Sequence, residues 1–168
     1  CSLYYIIFID DLTRMCWIYF LKHKSEAANV FWKFKAKVEN EANCKIQSVR
    51  TDNGREYTSY QFDMLCEEAG IHHQLTTPYT LQQNGVSERR NRYIMEMTRC
   101  MLHEKNLPKK FWAEAANTAM FLQNRLPSKA VKDQTPFEAW YGYKPPLHFL
   151  KCLVVFVLPM YLRSNGIN

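Results

Sequence analysis

At 168 residues the chain is in the one-domain size range, and 47% hydrophobic residues with only 5 glycines exclude a disordered tail or a fibrous repeat. Its 6 cysteines, at positions 1, 16, 44, 66, 100 and 152, form no C-x-x-C pair, which argues against zinc knuckles and against a small disulfide scaffold. The formal charge of +6 is concentrated: residues 88–132 carry 10 basic and 4 acidic side chains, against 9 and 10 in residues 1–87 and 3 and 2 in residues 133–168. A basic surface suits a polyanionic partner, although a solvated, lysine-rich helix surface gives the same signal from charge alone. The longest apolar runs, Leu3 to Ile9 and Leu150 to Leu158, fall well short of the roughly 20 residues of a membrane helix, so no membrane partner is expected. Scattered, reduced cysteines fit the cytosol or nucleus.

In chain order, Leu3 to Ile9 and Cys16 to Leu21 are apolar, aromatic and β-branched, and they predict a two-stranded hairpin or meander. Asp10 and Asp11 lie between them. Adjacent strand residues point to opposite faces, so turn-organising roles are expected there rather than a metal pair. Ser25 predicts an N-cap, and Ala27, Val30, Phe31, Phe34 and Val38 predict an amphipathic helix to about Asn40. A short strand, Ile46 to Val49, then empties into Thr51-Asp52-Asn53-Gly54. Thr58 with Gln61 predicts a capping box for a helix that buries Phe62, Leu65, Cys66 and Ala69 and stops at Gly70.

Ile71 to Leu75 predicts a further strand, in which His72 and His73 read as surface or packing histidines because neither has metal-ligand spacing. Thr76 to Gly85 has no period and predicts a mobile loop beside Glu88. From Ser87 the pattern is helical: Arg90, Ile94, Met97 and Met101 follow one line, and Glu88, Arg92, Arg99 and His103 a more exposed one. After Pro108 a helix places Phe111, Ala115, Ala119 and Leu122 on one face, the small alanines allowing close approach of a neighbour. Thr135-Pro136-Phe137-Glu138 is a helix start with an N-cap, a proline at N1 and a glutamate at N3. Leu150 to Leu158 reads as a possible strand, and residues 151–168 as a divergent tail beyond a domain at 1–150.

The chemistry with the best spacing lies in two carboxylates. Asp52 at a strand exit and Glu88 opening a helix, with 35 residues between them, can converge on divalent cations if strand and helix pack together. Phosphodiester transfer needs such hard oxygen ligands, holding two ions about 3.5–4 Å apart. Turn chemistry for Asp52 and a favourable first-turn anion for Glu88 are the plainer alternatives. Asn84, Arg89, Arg92, Lys109 and Lys110 are candidate phosphate contacts; Arg90 is ambiguous, since it also falls on the apolar line and an intramolecular carboxylate partner fits it equally.

Several ordered stretches then carry a resemblance: F-I-D-D-L-T-R at 8–14, Y-F-L-K-H-K-S-E at 19–26, T-D-N-G-R-E-Y at 51–57, P-Y-T-L-Q-Q-N-G-V-S-E-R-R-N-R at 78–92, L-P-K-K-F-W-A-E-A at 107–115 and T-P-F-E-A-W-Y-G at 135–142. Together they resemble the integrase catalytic core of copia-type retrotransposon polyproteins, especially plant ones, over about residues 3–150. The resemblance implies a ribonuclease-H-like α/β fold, a mixed sheet with flanking helices, and an Asp, Asp, Glu triad whose second and third members match Asp52 and Glu88. It also implies magnesium or manganese as cofactor, DNA (element ends and target) as partner, possible homo-oligomers, and a nuclear or cytoplasmic setting. The first aspartate of that triad belongs to a central strand that would precede Cys1, so the fold is expected to lack that strand and the fragment to be inactive alone; Asp10 and Asp11 are not substitutes for it. Arg55 in place of a second glycine and Leu81 in place of a proline depart from the family pattern, the latter loosening the loop. Two alternatives stay open: a nucleic-acid-binding module without catalysis, and a self-associating relic in which the alanine-rich helix packs against a second copy.

Overall fold

The computed structural model describes residues 2–54, 57–58, 60–76 and 81–146, without the side chains of residues 61 and 81–84. Strands β1 (Tyr4–Ile9) and β2 (Cys16–Leu21) pair antiparallel from Tyr4↔Leu21 to Ile9↔Cys16. Their connection is built by the acid that the sequence marks out. Asp10 Oδ2 accepts from both the backbone N–H and the hydroxyl of Thr13, each at 2.7 Å, while Arg14 sits at φ 61° and its N–H donates to the Asp10 carbonyl at 3.0 Å. Asp11 pairs with Arg14. Both aspartates therefore organise the turn, the role expected of them.

Helix α1 (Ala27–Ala42) follows and buries Ala27, Phe31, Phe34 and Val38. Strand β3 (Ser48–Thr51) leads through helix α2 (Tyr60–Glu68) to strand β4 (His72–Leu75), which pairs with β3 in parallel, Ser48↔His72 to Thr51↔Leu75. Gly70, at φ +67°, ends α2 in the left-handed region where a side chain would be strained. Helix α3 (Leu81–Glu104) and helix α4 (Trp112–Arg125) pack on each other, α3 also against β1 and α4 against β2. Helix α5 (Pro136–Tyr141) carries both halves of the expected capping box: the Glu138 N–H donates to Thr135 Oγ1 at 3.1 Å, and Glu138 Oε2 accepts from the Thr135 N–H at 2.7 Å.

Among the described residues the strands form two separate pairs, β1–β2 and β3–β4. An open cleft of about 510 Å³ lies between them, walled by residues 7–12 on one side and 44–50 on the other and floored by Phe31, Phe34 and Val38 of α1. What joins the halves is α1. Phe8 of β1 stacks on Phe34 at 4.0 Å between ring centroids, Trp17 meets Phe34 edge-on at 5.2 Å and Trp140 at 4.8 Å, and Phe31 reaches Phe62 of α2 at 5.5 Å. A second cluster lies on the other face of β1–β2, where Ile94, Ala116 and Ala119 are fully buried with Cys16 and Met120. There Asn124 of α4 grips the backbone of Cys16 at both groups, its Oδ1 accepting from the N–H at 3.0 Å and its Nδ2 donating to the carbonyl at 2.7 Å.

Five expectations need correction. Ser25 is not the cap of α1: a 3-10 turn at Lys24–Glu26 precedes the helix, and the Glu26 carboxylate reaches back to the Lys22 N–H at 3.0 Å. β3 begins two residues later than the apolar run, because the Ile46 N–H donates to Glu39 Oε1 at 2.9 Å and pairing starts only where the His72 N–H meets the Gln47 carbonyl at 2.8 Å. Residues 81–85 are not loop but the first turns of α3, so Leu81 opens a helix; polar Gln82, Gln83 and Asn84 hid it by supplying no apolar period. Phe111 is 39% exposed, since α4 begins one residue beyond it. The alanine face of α4 is buried against its own chain, which removes it as a surface for a second copy. The Thr58–Gln61 capping box, residues 77–80 of the expected loop and the strand at 150–158 lie outside the described residues.

Candidate active site

Asp52 is exposed and lies one residue past β3, where its Oδ1 accepts the Gly54 N–H at 3.1 Å. This is the local turn that D-N-G sequences favour, and it fixes one carboxylate oxygen without consuming the other. Glu88 is exposed on α3, a helix anchored by fully buried Ile94 and Thr98, whose hydroxyl donates to the Ile94 carbonyl at 2.7 Å. Val86 and Ser87 of α3 border the same cleft as Val49 and Arg50 of β3 and as Asp10 and Asp11. The two candidate carboxylates are thus each within two residues of cleft-lining positions, on opposite elements. Among the described residues, no group of three His, Cys, Asp or Glu side chains is gathered closely enough to hold a metal ion.

The strand end that carries Asp52 is held by a polar network that the sequence does not foretell. Thr51 Oγ1 lies 2.8 Å from His73 Nε2, and His73 Nδ1 lies 2.6 Å from Asp63 Oδ1 of α2. The Thr51 carbonyl also accepts the Thr76 N–H at 3.0 Å. His73 is a packing histidine, 8% exposed at its side chain and edge-on to Phe62; His72 is exposed. Only the pairing of β3 with β4 brings Thr51 and His73 together, so no short-range spacing could have signalled it.

The basic candidates divide into two groups. Arg89 and Arg92 are exposed beside Glu88 on α3, with the Arg89 guanidinium lying over Gly85. Lys109 and Lys110 are exposed in the 3-10 turn that follows the far end of the same helix, which runs about 18 Å from Arg92 to Glu104 at 1.5 Å per residue. The side chain of Asn84 is outside the described residues. Arg90 turns inward, donating to the Arg14 carbonyl at 3.4 Å, so its partner is a backbone oxygen and not the carboxylate considered from sequence.

With this arrangement in place, comparison with known proteins is decisive. The integrase core domain family matches residues 1–80. The chain is 47% identical over 148 residues, 88% of its length, to the retrovirus-related Pol polyprotein from transposon TNT 1-94 of Nicotiana tabacum, and 39% identical over 148 residues to that from transposon RE2 of Arabidopsis thaliana. By the family match, the chain carries integrase core sequence over residues 1–80. It spans only about a tenth of those relatives, 11% and 10% of their lengths. The fold agrees: a chain of the simian T-cell lymphotropic virus intasome, in complex with PP2A regulatory subunit B56 gamma, superposes with a TM-score of 0.66 at 21% identity, covering 84% of this chain and 49% of that one. The HTLV-2 integrase catalytic core domain in complex with magnesium gives 0.59 at 20% identity, covering 80% and 82%. This integrase core is therefore a ribonuclease-H-like α/β domain, and no helix among its described residues is long and apolar enough to cross a membrane.

Proposed function

We propose that this integrase core contributes Asp52 and Glu88 to a three-carboxylate site that processes and joins DNA ends in DNA integration, and that the third carboxylate arrives on a strand seated between β1 and β3. The observation that carries this reading is the cleft, open between two strand pairs and bordered near both carboxylates. A strand there would meet the backbone groups of β1 and β3 that face the cleft, which a complete sheet would pair. The residues present fit part of a magnesium or manganese site: two hard carboxylates, one already oriented by the Gly54 N–H. When bound, such ions polarise phosphodiester oxygens and neutralise developing charge. The chain's own share is to hold the two carboxylates on separate rigid elements and to offer Arg89 and Arg92 to the phosphates beside Glu88. Lys109 and Lys110 extend the DNA surface at the far end of α3. Alone, the 168-residue chain binds DNA without joining it. The family resemblance supports a nuclear or cytoplasmic setting for that role.

The test is strand transfer on an end-mimicking DNA duplex with magnesium or manganese, comparing this chain with one extended upstream by a strand carrying an aspartate. Activity only in the extended chain, lost in Asp52→Asn and in Glu88→Gln with folding preserved, is the expected result. Substantial activity in either variant would overturn the assignment. Activity in the short chain itself would show that no further strand is required.

A further inference from the structure

We infer that His73 is a positioning residue for the Asp52 carboxylate, acting through the Thr51 hydroxyl. The inference rests on reading Asp52 as a metal ligand and names what aims it.

Asp52 is the first residue beyond a strand of only four residues. So short a strand end frays unless something other than its ladder holds it. Thr51 is held at two points by β4 and the residue that follows it: its carbonyl by the Thr76 N–H at 3.0 Å and its hydroxyl by His73 Nε2 at 2.8 Å. His73 is in turn fixed by Asp63 Oδ1 at 2.6 Å and by the edge-on ring of Phe62 at 5.1 Å, both from α2. The carboxylate of Asp63 places the imidazole proton on Nδ1 and leaves Nε2 as acceptor for the Thr51 O–H. The relay thus runs from α2 through β4 to the last residue of β3, one peptide unit from Asp52. Asp52 itself is held by the Gly54 N–H at 3.1 Å, a contact within its own loop. That loop contact shapes the Asp52 turn, and the relay fixes where the turn starts. Removing groups that orient a metal ligand typically weakens metal binding about 10- to 100-fold.

Thr51→Val keeps shape and removes the hydroxyl; His73→Ala removes the imidazole; Thr51→Ser restores a hydroxyl and serves as the rescue. Two readouts on the whole chain, well below its melting temperature, separate positioning from mere stapling of α2 to the sheet. The first is backbone 15N relaxation at Asp52, Asn53 and Gly54 without metal. The second is broadening of the same amides on titration with manganese. Loss of order at these three amides in Thr51→Val and His73→Ala, with a manganese midpoint raised about 10-fold or more and wild-type behaviour in Thr51→Ser, is expected. Lower melting temperatures with unchanged order at Asp52–Gly54 would overturn the inference and leave a structural staple. No manganese broadening in any chain, but order lost in the two variants, would sink the ligand reading of Asp52 while upholding the relay.

Discussion

Replacing Asn124 by leucine tests the joint between α4 and the strands most directly. Asn124 is 4% exposed, and its amide makes two bonds to Cys16, at 3.0 and 2.7 Å, across 108 positions of sequence. Leucine preserves volume, so the cost is not a cavity. It leaves a buried N–H and a buried carbonyl without their partner, at about 1–3 kcal/mol each. The total, about 2–6 kcal/mol, is a large part of the roughly 5–15 kcal/mol that a domain of this size retains. At roughly 2–4 °C per kcal/mol, the melting temperature should fall by about 4–24 °C. Urea unfolding followed by both circular dichroism and tryptophan fluorescence measures it, with an unchanged m-value marking a true stability change. A midpoint shift worth less than about 1 kcal/mol would refute the idea that the amide substitutes for a paired strand residue.

Other outcomes follow from single sites. Burial pushes the Cys16 thiol up to about 11 against the pull of Arg90 and Arg14, so its contribution is whole below pH 9.0 and is lost as pH rises through the folded value. Cys16→Ala should flatten the fall in urea midpoint over that window, by about 2–3 kcal/mol at most, and parallel curves would contradict it. The Thr135 N–H, then its hydroxyl, hold the Glu138 carboxyl below its ordinary value, so that cap is present above its unfolded pKa and lost as pH falls through the folded one. Glu138→Gln should remove this acid dependence, and Thr135→Ala should cost about 1 kcal/mol at neutral pH in thermal melts. Gly85→Ala should stabilise α3 by up to about 1 kcal/mol, because its φ is ordinary and the nearest described atoms that a Cβ there would meet, from 3.5 Å, belong to the flexible Arg89 guanidinium; a lower melting temperature would show that the site needs glycine.

The elements that sequence made legible are those whose signal is local. The apolar runs of β1 and β2, the three- and four-residue steps of α1 and the cap before α5 each carry their own pattern. The misplaced boundaries are those where a distant or nonlocal partner decides: Glu39 takes the Ile46 N–H out of the ladder, and the polar start of α3 is helical without an apolar stripe of its own. At the site, Asp52 and Glu88 were readable as carboxylates with a suggestive interval, and their neighbours in the cleft were not. Thr51, His73 and Asp63 become a unit only through the parallel register of β3 with β4, which no periodicity encodes.

The aromatic bridge through α1 sets how this domain behaves as a cooperative unit. In an unbroken sheet, opening one strand strips hydrogen bonds from its neighbour, and the ladder itself transmits the loss. Here that transmission passes through ring contacts on the buried face of α1, from Phe8 to Phe34 and from Phe31 to Phe62. Ring packing has no fixed hydrogen-bond register, so it tolerates small slides that a ladder would not. The two strand pairs therefore share one fate in unfolding only while α1 stays docked, and the helix, more than either sheet, is the element whose loss divides the protein into two.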